Sequence, residues 1–227
     1  ELILEDDSLH DDVLSQLERL ELTPDRPLIV SDADEVIFAF VRSLEGFLLD
    51  NGHFMDLQSF TLSGNIRDSE TREPVSANMV KKLIGEFFAE RTEDIEPVED
   101  AIDTLAALSE QAQILVLSNV PLDQQDARRR ALVKNRMDYP LVANIGRKGG
   151  AMAYLAERPE APIFFLDDIP HNISSVARAA GSVTRIHFIA DHRLRNLLGQ
   201  ADDAHARIDD WPGVQQFIET RLREDGF

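Results

Sequence analysis

The chain has 227 residues, with 42 acidic and 23 basic side chains for a formal charge of −19. Apolar residues make up 43% and charged residues 29%, the balance of a folded chain with material for one large domain or a core plus an accessory unit. The acidic excess tells against nucleic-acid and anionic-membrane partners, which reward clustered cations, and the absence of cysteine excludes disulfides, thiolate metal sites and cysteine nucleophiles.

The sequence opens on Glu1 rather than Met, so a removed leader stays an open expectation. His10 to Leu22 reads as an amphipathic helix, with Val13, Leu14, Leu17 and Leu20 at helical spacing, and the two prolines of Thr23–Pro27 end it. Leu28-Ile29-Val30 is a short continuous apolar run of the kind a buried parallel strand carries. The wider stretch to Leu49 is broken by Asp32, Asp34, Glu35, Arg42 and Glu45 and falls short of the ~18 uninterrupted apolar residues of a membrane span. Similar strand runs recur at Ile114–Leu117, Leu141–Val142 with Ile145, Ile163–Leu166 and Ile186–Ile189. Helical patterns lie between them at Glu96–Glu110, Leu122–Asn135, Lys148–Glu157 and Asn172–Ala180. From Asp191 onward one or two closing helices are expected, with Trp211, Val214, Phe217 and Ile218 on one face. Strands alternating with helices predict an α/β, doubly wound parallel sheet.

One interval breaks this rhythm, because about 80 residues separate the first two strand runs, far more than a crossover needs. It holds a helix at Val41–Leu49, a hairpin or turns over Phe60–Ser76, and a helix at Ala77–Glu90 with Val80, Leu83, Ile84, Phe87 and Phe88 on its apolar side. That content predicts a small, mainly helical subdomain. There is no internal repeat.

Polar residues collect just past the expected strand ends, where open α/β sheets place ligands: Asp32 and Asp34, then Ser118 and Asn119, then Asp167 and Asp168, with Lys148 opening a helix before the last pair. Taken singly, an aspartate after a strand is most often a helix cap or turn residue, and a lone lysine is a solvated one. Three strand ends marking one rim weaken that reading.

These residues stand in four ordered motifs: Leu28-Ile29-Val30-Ser31-Asp32-Ala33-Asp34-Glu35-Val36, Ile114-Leu115-Val116-Leu117-Ser118-Asn119, Arg147-Lys148-Gly149-Gly150, and Ile163-Phe164-Phe165-Leu166-Asp167-Asp168-Ile169-Pro170-His171-Asn172. In that order and strand context the chain resembles the haloacid dehalogenase superfamily of phosphatases and phosphotransferases over residues 28 to 190. The resemblance implies a Rossmannoid core (1–36 and 96–227) with the first strand central, and a cap of the C1 type (37–95). It implies Asp32 as nucleophile, Asp34 as general acid and base, and Ser118, Asn119 and Lys148 as residues that bind the phosphoryl group. A carboxylate attacking a phosphate must have charge neutralised, and Mg²⁺ takes oxygen ligands, so Asp32, Asp168 and the Asp34 backbone carbonyl are the implied metal ligands. The second aspartate, Asp34, favours phosphoester hydrolysis over dehalogenation. The fourth motif departs from the usual pattern, with Asp167 where Gly is common and Asn172 where a later Asp is common; Asp167 reads as a supporting or cap residue.

Other features are weaker. Arg128-Arg129-Arg130 with Lys134 and Arg136 reads as a solvated helix face. His187, Asp191 and His192 fit no defined metal spacing. Arg67, Arg72, Lys81 and Lys82 lie in the insertion, where they either meet an anionic substrate or serve solubility. The expected function is Mg²⁺-dependent hydrolysis of a small phosphorylated substrate by a cytoplasmic enzyme. The alternatives are a catalytically silent binding module and a signalling receiver domain; the order of the motifs and the long insertion tell against the receiver.

Overall fold

A computed structural model of the chain describes residues 8–157 and 160–227, so the expected core reaches at its start into residues 1–7, which lie outside the described residues. In chain order the elements are α1 (Asp11–Leu17), β1 (Leu28–Ser31), α2 (Phe40–Asp50), β2 (His53–Met55), β3 (Ile66–Asp68), α3 (Ala77–Arg91), α4 (Ala101–Ser109) and β4 (Gln113–Ser118). A 3₁₀ turn (Leu122–Gln124) then runs into α5 (Gln125–Lys134), followed by β5 (Leu141–Ala143), α6 (Gly149–Ala156), β6 (Ile163–Asp167), α7 (Pro170–Ala179), β7 (Thr184–His187), α8 (His192–Arg195), β8 (Ala206–Arg207) and α9 (Trp211–Asp225). No described helix is long and apolar enough to cross a membrane.

The main sheet has the order β5-β4-β1-β6-β7-β8, and every neighbouring pair is parallel. Side chains on successive strand residues point to opposite faces, and the central strands are apolar on both. Ile29, Ile114, Val116, Phe164 and Leu166 join the core on the face covered by α4, α5 and α9. Leu28, Val30, Leu115, Leu117, Ile163 and Phe165 join the core on the other face, under α1, α6 and α7. The sheet is therefore doubly wound, with β1 in the middle and the ends of β1, β4 and β6 side by side.

Several boundaries differ from the sequence reading. Helix α1 stops at Leu17, because the N–H groups of Arg19 and Leu20 turn back to the carbonyls of Gln16 and Leu17, while Leu20 and Leu22 still pack on the core. Helix α4 begins at Ala101 rather than Glu96, since Glu96–Val98 is needed elsewhere: the Ala39 N–H donates to the Glu96 carbonyl and the Val98 N–H to the Ile37 carbonyl, both at 2.8 Å. The chain thus leaves the core and returns to it along one paired crossing. Phe188 and Ile189 lie past the end of β7, Ile145 past β5, and the two-residue β8 carries too few residues to show a period.

Between the two legs of this crossing sit α2, the antiparallel pair β2–β3, and α3. The hairpin pairs His53–Met55 with Ile66–Asp68, so its first strand precedes the expected turn region. Asn65, buried, shapes the long connection: its amide donates to the carbonyls of Ser59 and Thr61, both at 2.7 Å, and its carbonyl oxygen accepts the Gln58 N–H. Phe40, Phe47, Phe87 and Phe88 stack edge-on or tilted at 5.3–5.9 Å between centroids and join α2 to α3.

The start of α6 fits against α7 only because residue 149 is glycine. A Cβ there would lie 2.3 Å from Ser175 Oγ and 2.8 Å from its carbonyl oxygen, while the Gly149 N–H donates to that Oγ at 2.8 Å. Gly149→Ala should cost about 1–3 kcal/mol in urea denaturation, the usual effect of overpacking; a stability equal to the parent's would show that this approach is not tight.

Candidate active site

Asp32 follows the last residue of β1, and its N–H still bonds the Leu166 carbonyl of β6 at 2.9 Å. Parallel pairing of β1 with β6 puts Asp167 and Asp168 on the same rim. One carboxylate oxygen from each of Asp32, Asp167 and Asp168 lies within 4.8 Å of the others. Into this group runs Lys148, fully buried at the N-cap of α6, with Nζ 2.7 Å from both Asp32 and Asp167.

Three carboxylates face one ammonium, a formal excess of two negative charges in a site where only Asp32 and Asp168 keep slight exposure. Burial pushes Asp32 up to about 7, against the opposing pull of Lys148, and burial with the neighbouring Asp167 and Asp32 raises Asp168 well above the carboxylate range. For Lys148 burial alone would lower the ammonium, but Asp167 and Asp32 outweigh it and hold it at about 12. The donors are all hard oxygens, the excess charge matches a divalent cation, and the residues therefore fit Mg²⁺.

The supporting contacts are specific. Asp167 accepts the Ile169 N–H at 2.9 Å and the Asn172 amide at 3.0 and 3.2 Å, so both Asp167 and Asn172 are occupied in fixing Lys148. His187 is buried with both ring nitrogens used: Nδ1 accepts the Ala201 N–H, so Nε2 donates to the Asp168 carbonyl at 2.9 Å. Burial lowers the His187 imidazole further. Asp191 caps α8 and pairs with Arg193. At the end of β4, Ser118 is buried and its Oγ accepts the Val120 N–H. Asn119 is exposed, donates to the Gly146 carbonyl and accepts from Asn144, a buried residue the motifs did not mark.

Asp34 points to a partner that the sequence reading placed in solvent. Arg128 on α5 is fully buried, donates through Nη2 to Asp34 Oδ1, and lies over the Phe38 ring with its guanidinium carbon 4.9 Å from the centroid. The solvated-face reading holds for Arg130 and Lys134, which pair with Glu93 and Asp94 at the surface, and fails for Arg128. The signal was present: Arg128, Ala131 and Leu132 form the buried stripe of α5, so the arginine occupies an apolar position of the helix.

Glu35 is the other unmarked residue. Its backbone has φ 62°, a left-handed conformation that costs a side chain about 1–3 kcal/mol. Its buried carboxylate accepts the N–H groups of Val41 at 2.9 Å and Asp191 at 2.6 Å, bridging the start of α2 to the segment before α8. Burial pushes it up to about 7 despite those bonds. Of the cations expected in the insertion, Arg67 pairs with Asp56, Arg72 lies over the Phe54 ring, and Lys82 faces Glu86. None of them, nor Lys81, lines the space beside Asp168.

No protein-family model and no curated protein matches the sequence. Solved structures do match the fold. A conserved haloacid dehalogenase-like protein of unknown function from Agrobacterium tumefaciens superposes with a TM-score of 0.59 at 17% identity, covering 86% of this chain and 98% of that one. The chain has the haloacid dehalogenase-like fold. A family hydrolase from Deinococcus radiodurans with bound phosphate and sodium gives a TM-score of 0.57 at 12% identity, covering 88% and 98% of the two chains. A magnesium-bound protein of the same hydrolase class from Bacillus subtilis gives 0.57 at 10% identity, covering 86% and 99%. The strand ends that this haloacid dehalogenase-like fold brings together are those of β1, β4 and β6, which carry the first, second and fourth motifs.

The charge balance makes stability predictions of opposite sign. Lys148→Met leaves buried carboxylates uncompensated and should cost about 3–5 kcal/mol, whereas Asp168→Asn should stabilise the metal-free protein; equal effects in a denaturant titration would contradict the balance. Asp34→Ala strands the Arg128 guanidinium and should also destabilise, by up to about 3 kcal/mol. Asp32 and Glu35 hold protons in the fold that the unfolded chain, with its ordinary values of 3.8 and 4.5, releases at lower pH. The metal-free protein should therefore lose stability as pH rises from about 4 to about 7, and Mg²⁺ should restore more of it at the top of that window. Melting temperatures in chelator and in Mg²⁺ that run parallel across pH would refute this.

Proposed function

We propose that the protein is a Mg²⁺-dependent phosphatase that hydrolyses a small phosphate monoester through an aspartyl-phosphate on Asp32. The observation that supports it most is the buried Lys148 shared by Asp32 and Asp167, with Asp168 in reach of both. Asp32, Asp168 and the backbone carbonyl of Asp34 would hold the ion, and when bound it supplies positive charge to the phosphoryl oxygens.

The chain's own residues account for the rest. Lys148 holds Asp32 in place and offers positive charge to the transferring group. An Asp32 oxygen attacks phosphorus, the bond to the leaving alcohol breaks, and the Asp34 carboxyl gives that oxygen a proton. Arg128 donates to Asp34 Oδ1 and so fixes the orientation of the carboxyl group that moves this proton. Asp34, now ionised, takes a proton from water as the water attacks phosphorus, which releases phosphate and returns the Asp32 carboxylate. Such acid–base help contributes on the order of 10²–10⁴ in rate. Ser118 and Asn119, at the end of β4, would bind the phosphoryl oxygens. Residues 37–95 act as a cap over the site, carried on the paired legs Ile37–Ala39 and Glu96–Val98.

Asp32→Asn should lower turnover of an aryl phosphate by more than about 10⁴-fold with the fold intact by circular dichroism. Chelation should abolish the parent's activity and added Mg²⁺ should return it. A variant that keeps the parent's rate, or activity indifferent to chelator, would overturn this reading.

A further inference from the structure

A cavity of about 150 Å³ lies between the insertion and the core, and Asp168 is one of the residues that line it. Its walls are Phe40 from α2, Leu57, Phe60 and Leu62 from the connection between β2 and β3, and Ile169 and Leu194 from the core. Phe40, Leu57 and Phe60 also pack against the buried group of Val41, Ile189 and Leu194, so this is where the insertion rests on the core.

The hydroxyl protons in the lining are already engaged. Ser59 and Thr61 bond each other and Thr61 bonds the Ser63 carbonyl, and Asn65 holds the connection in this shape. Glu35 presents a carboxylate whose two oxygens accept backbone N–H groups. No lysine, arginine or histidine lines the cavity among the described residues. A second anion entering here would meet Glu35 and Asp168 with no cationic side chain to receive it, and a polyol would find no free donor and would bury hydroxyls against Phe40, Leu57, Phe60, Leu62, Ile169 and Leu194. An apolar group meets neither obstacle. A dry apolar cavity of about this volume has room for a benzene-sized body.

We propose that this cavity binds the alcohol part of the substrate, and that the substrate class is the phosphate monoester of an uncharged apolar alcohol no larger than a phenol or a six-carbon alkanol. The proposal rests on the phosphatase reading, since it places the phosphate at Asp32 and the alcohol beyond Asp168. It selects against alcohols that carry a carboxylate or several hydroxyls.

The test is kcat/KM in Mg²⁺ for methyl, n-butyl, n-hexyl and n-octyl phosphate, with glycerol phosphate, phosphoglycolate and aminoethyl phosphate as polar, anionic and cationic comparisons. All have alkyl leaving groups, so the intrinsic chemistry is nearly constant. Each buried methylene is worth about four-fold, so n-butyl should exceed methyl phosphate by at least about ten-fold, with the gain ending near six carbons. The n-butyl ester should also exceed each of the three comparisons by about ten-fold or more. Phe60→Arg should reverse the order of n-butyl phosphate and phosphoglycolate, and Leu57→Lys provides the same reversal from a second position.

Binding of n-butylphosphonate and phosphonopropionate, neither of which can be hydrolysed, is measured alongside by calorimetry. If no ester turns over but n-butylphosphonate binds at least ten-fold more tightly than phosphonopropionate and loses that advantage in Phe60→Arg, the phosphatase reading fails and the cavity assignment stands. Phosphoglycolate or glycerol phosphate turned over as well as the n-butyl ester, or no preference between the two phosphonates, overturns the cavity assignment.

Discussion

The site depends on one buried ammonium between two buried carboxylates. Lys148 is held at 2.7 Å from both Asp32 and Asp167, and without it three carboxylates would share a largely buried rim with no cation. Much of the surrounding architecture fixes that nitrogen. Gly149 lets α6 approach Ser175 of α7, Asn172 and the Ile169 N–H hold Asp167, and β1 lies between β4 and β6 so that Asp32 meets the acidic pair. An arrangement that keeps more negative than positive charge away from water is costly to fold and is the kind of stored imbalance that binding of a cation and an anionic substrate relieves.

A second layer of contacts joins this rim to the insertion. The turn after Asp32 brings Asp34 to the buried Arg128 and Glu35 to the N–H groups of Val41 and Asp191. Trp211 at the start of α9 donates to the Val36 carbonyl at 3.0 Å and packs on Phe188, so the same turn is braced from behind. Arg193 of α8 adds two bonds to Glu45 of α2, at 2.7 and 2.8 Å. The position of the insertion and the position of Asp34 are thus set by neighbouring residues of one short turn.

Legibility in the sequence followed burial. β1, β4 and β6 are covered on both faces, so their apolar runs are continuous and their polar ends stand out, which is how Asp32, Ser118 and the Asp167–Asp168 pair came to one rim in the reading. Short elements whose residues are all half-buried, such as β2 and β8, leave too few residues for a period. Arg128 was misplaced because a run of three arginines reads as surface, and the competing evidence, its spacing to Ala131 and Leu132, is a single helical turn. Glu35 carried no signal, since its partners are backbone N–H groups, at Val41 and at the remote Asp191, which no side-chain pattern marks. The cavity beside Asp168 is assembled from four separated stretches of chain and has no sequence pattern of its own.

If Asp32 is the nucleophile, it becomes covalently phosphorylated during turnover. Rapid acid quench during steady turnover of a phosphate ester in Mg²⁺, followed by peptide mapping by mass spectrometry, measures this directly. A phosphoryl adduct confined to Asp32, present during turnover and absent after substrate is exhausted, is the predicted result. Steady turnover with no adduct, or an adduct on another residue, would contradict it.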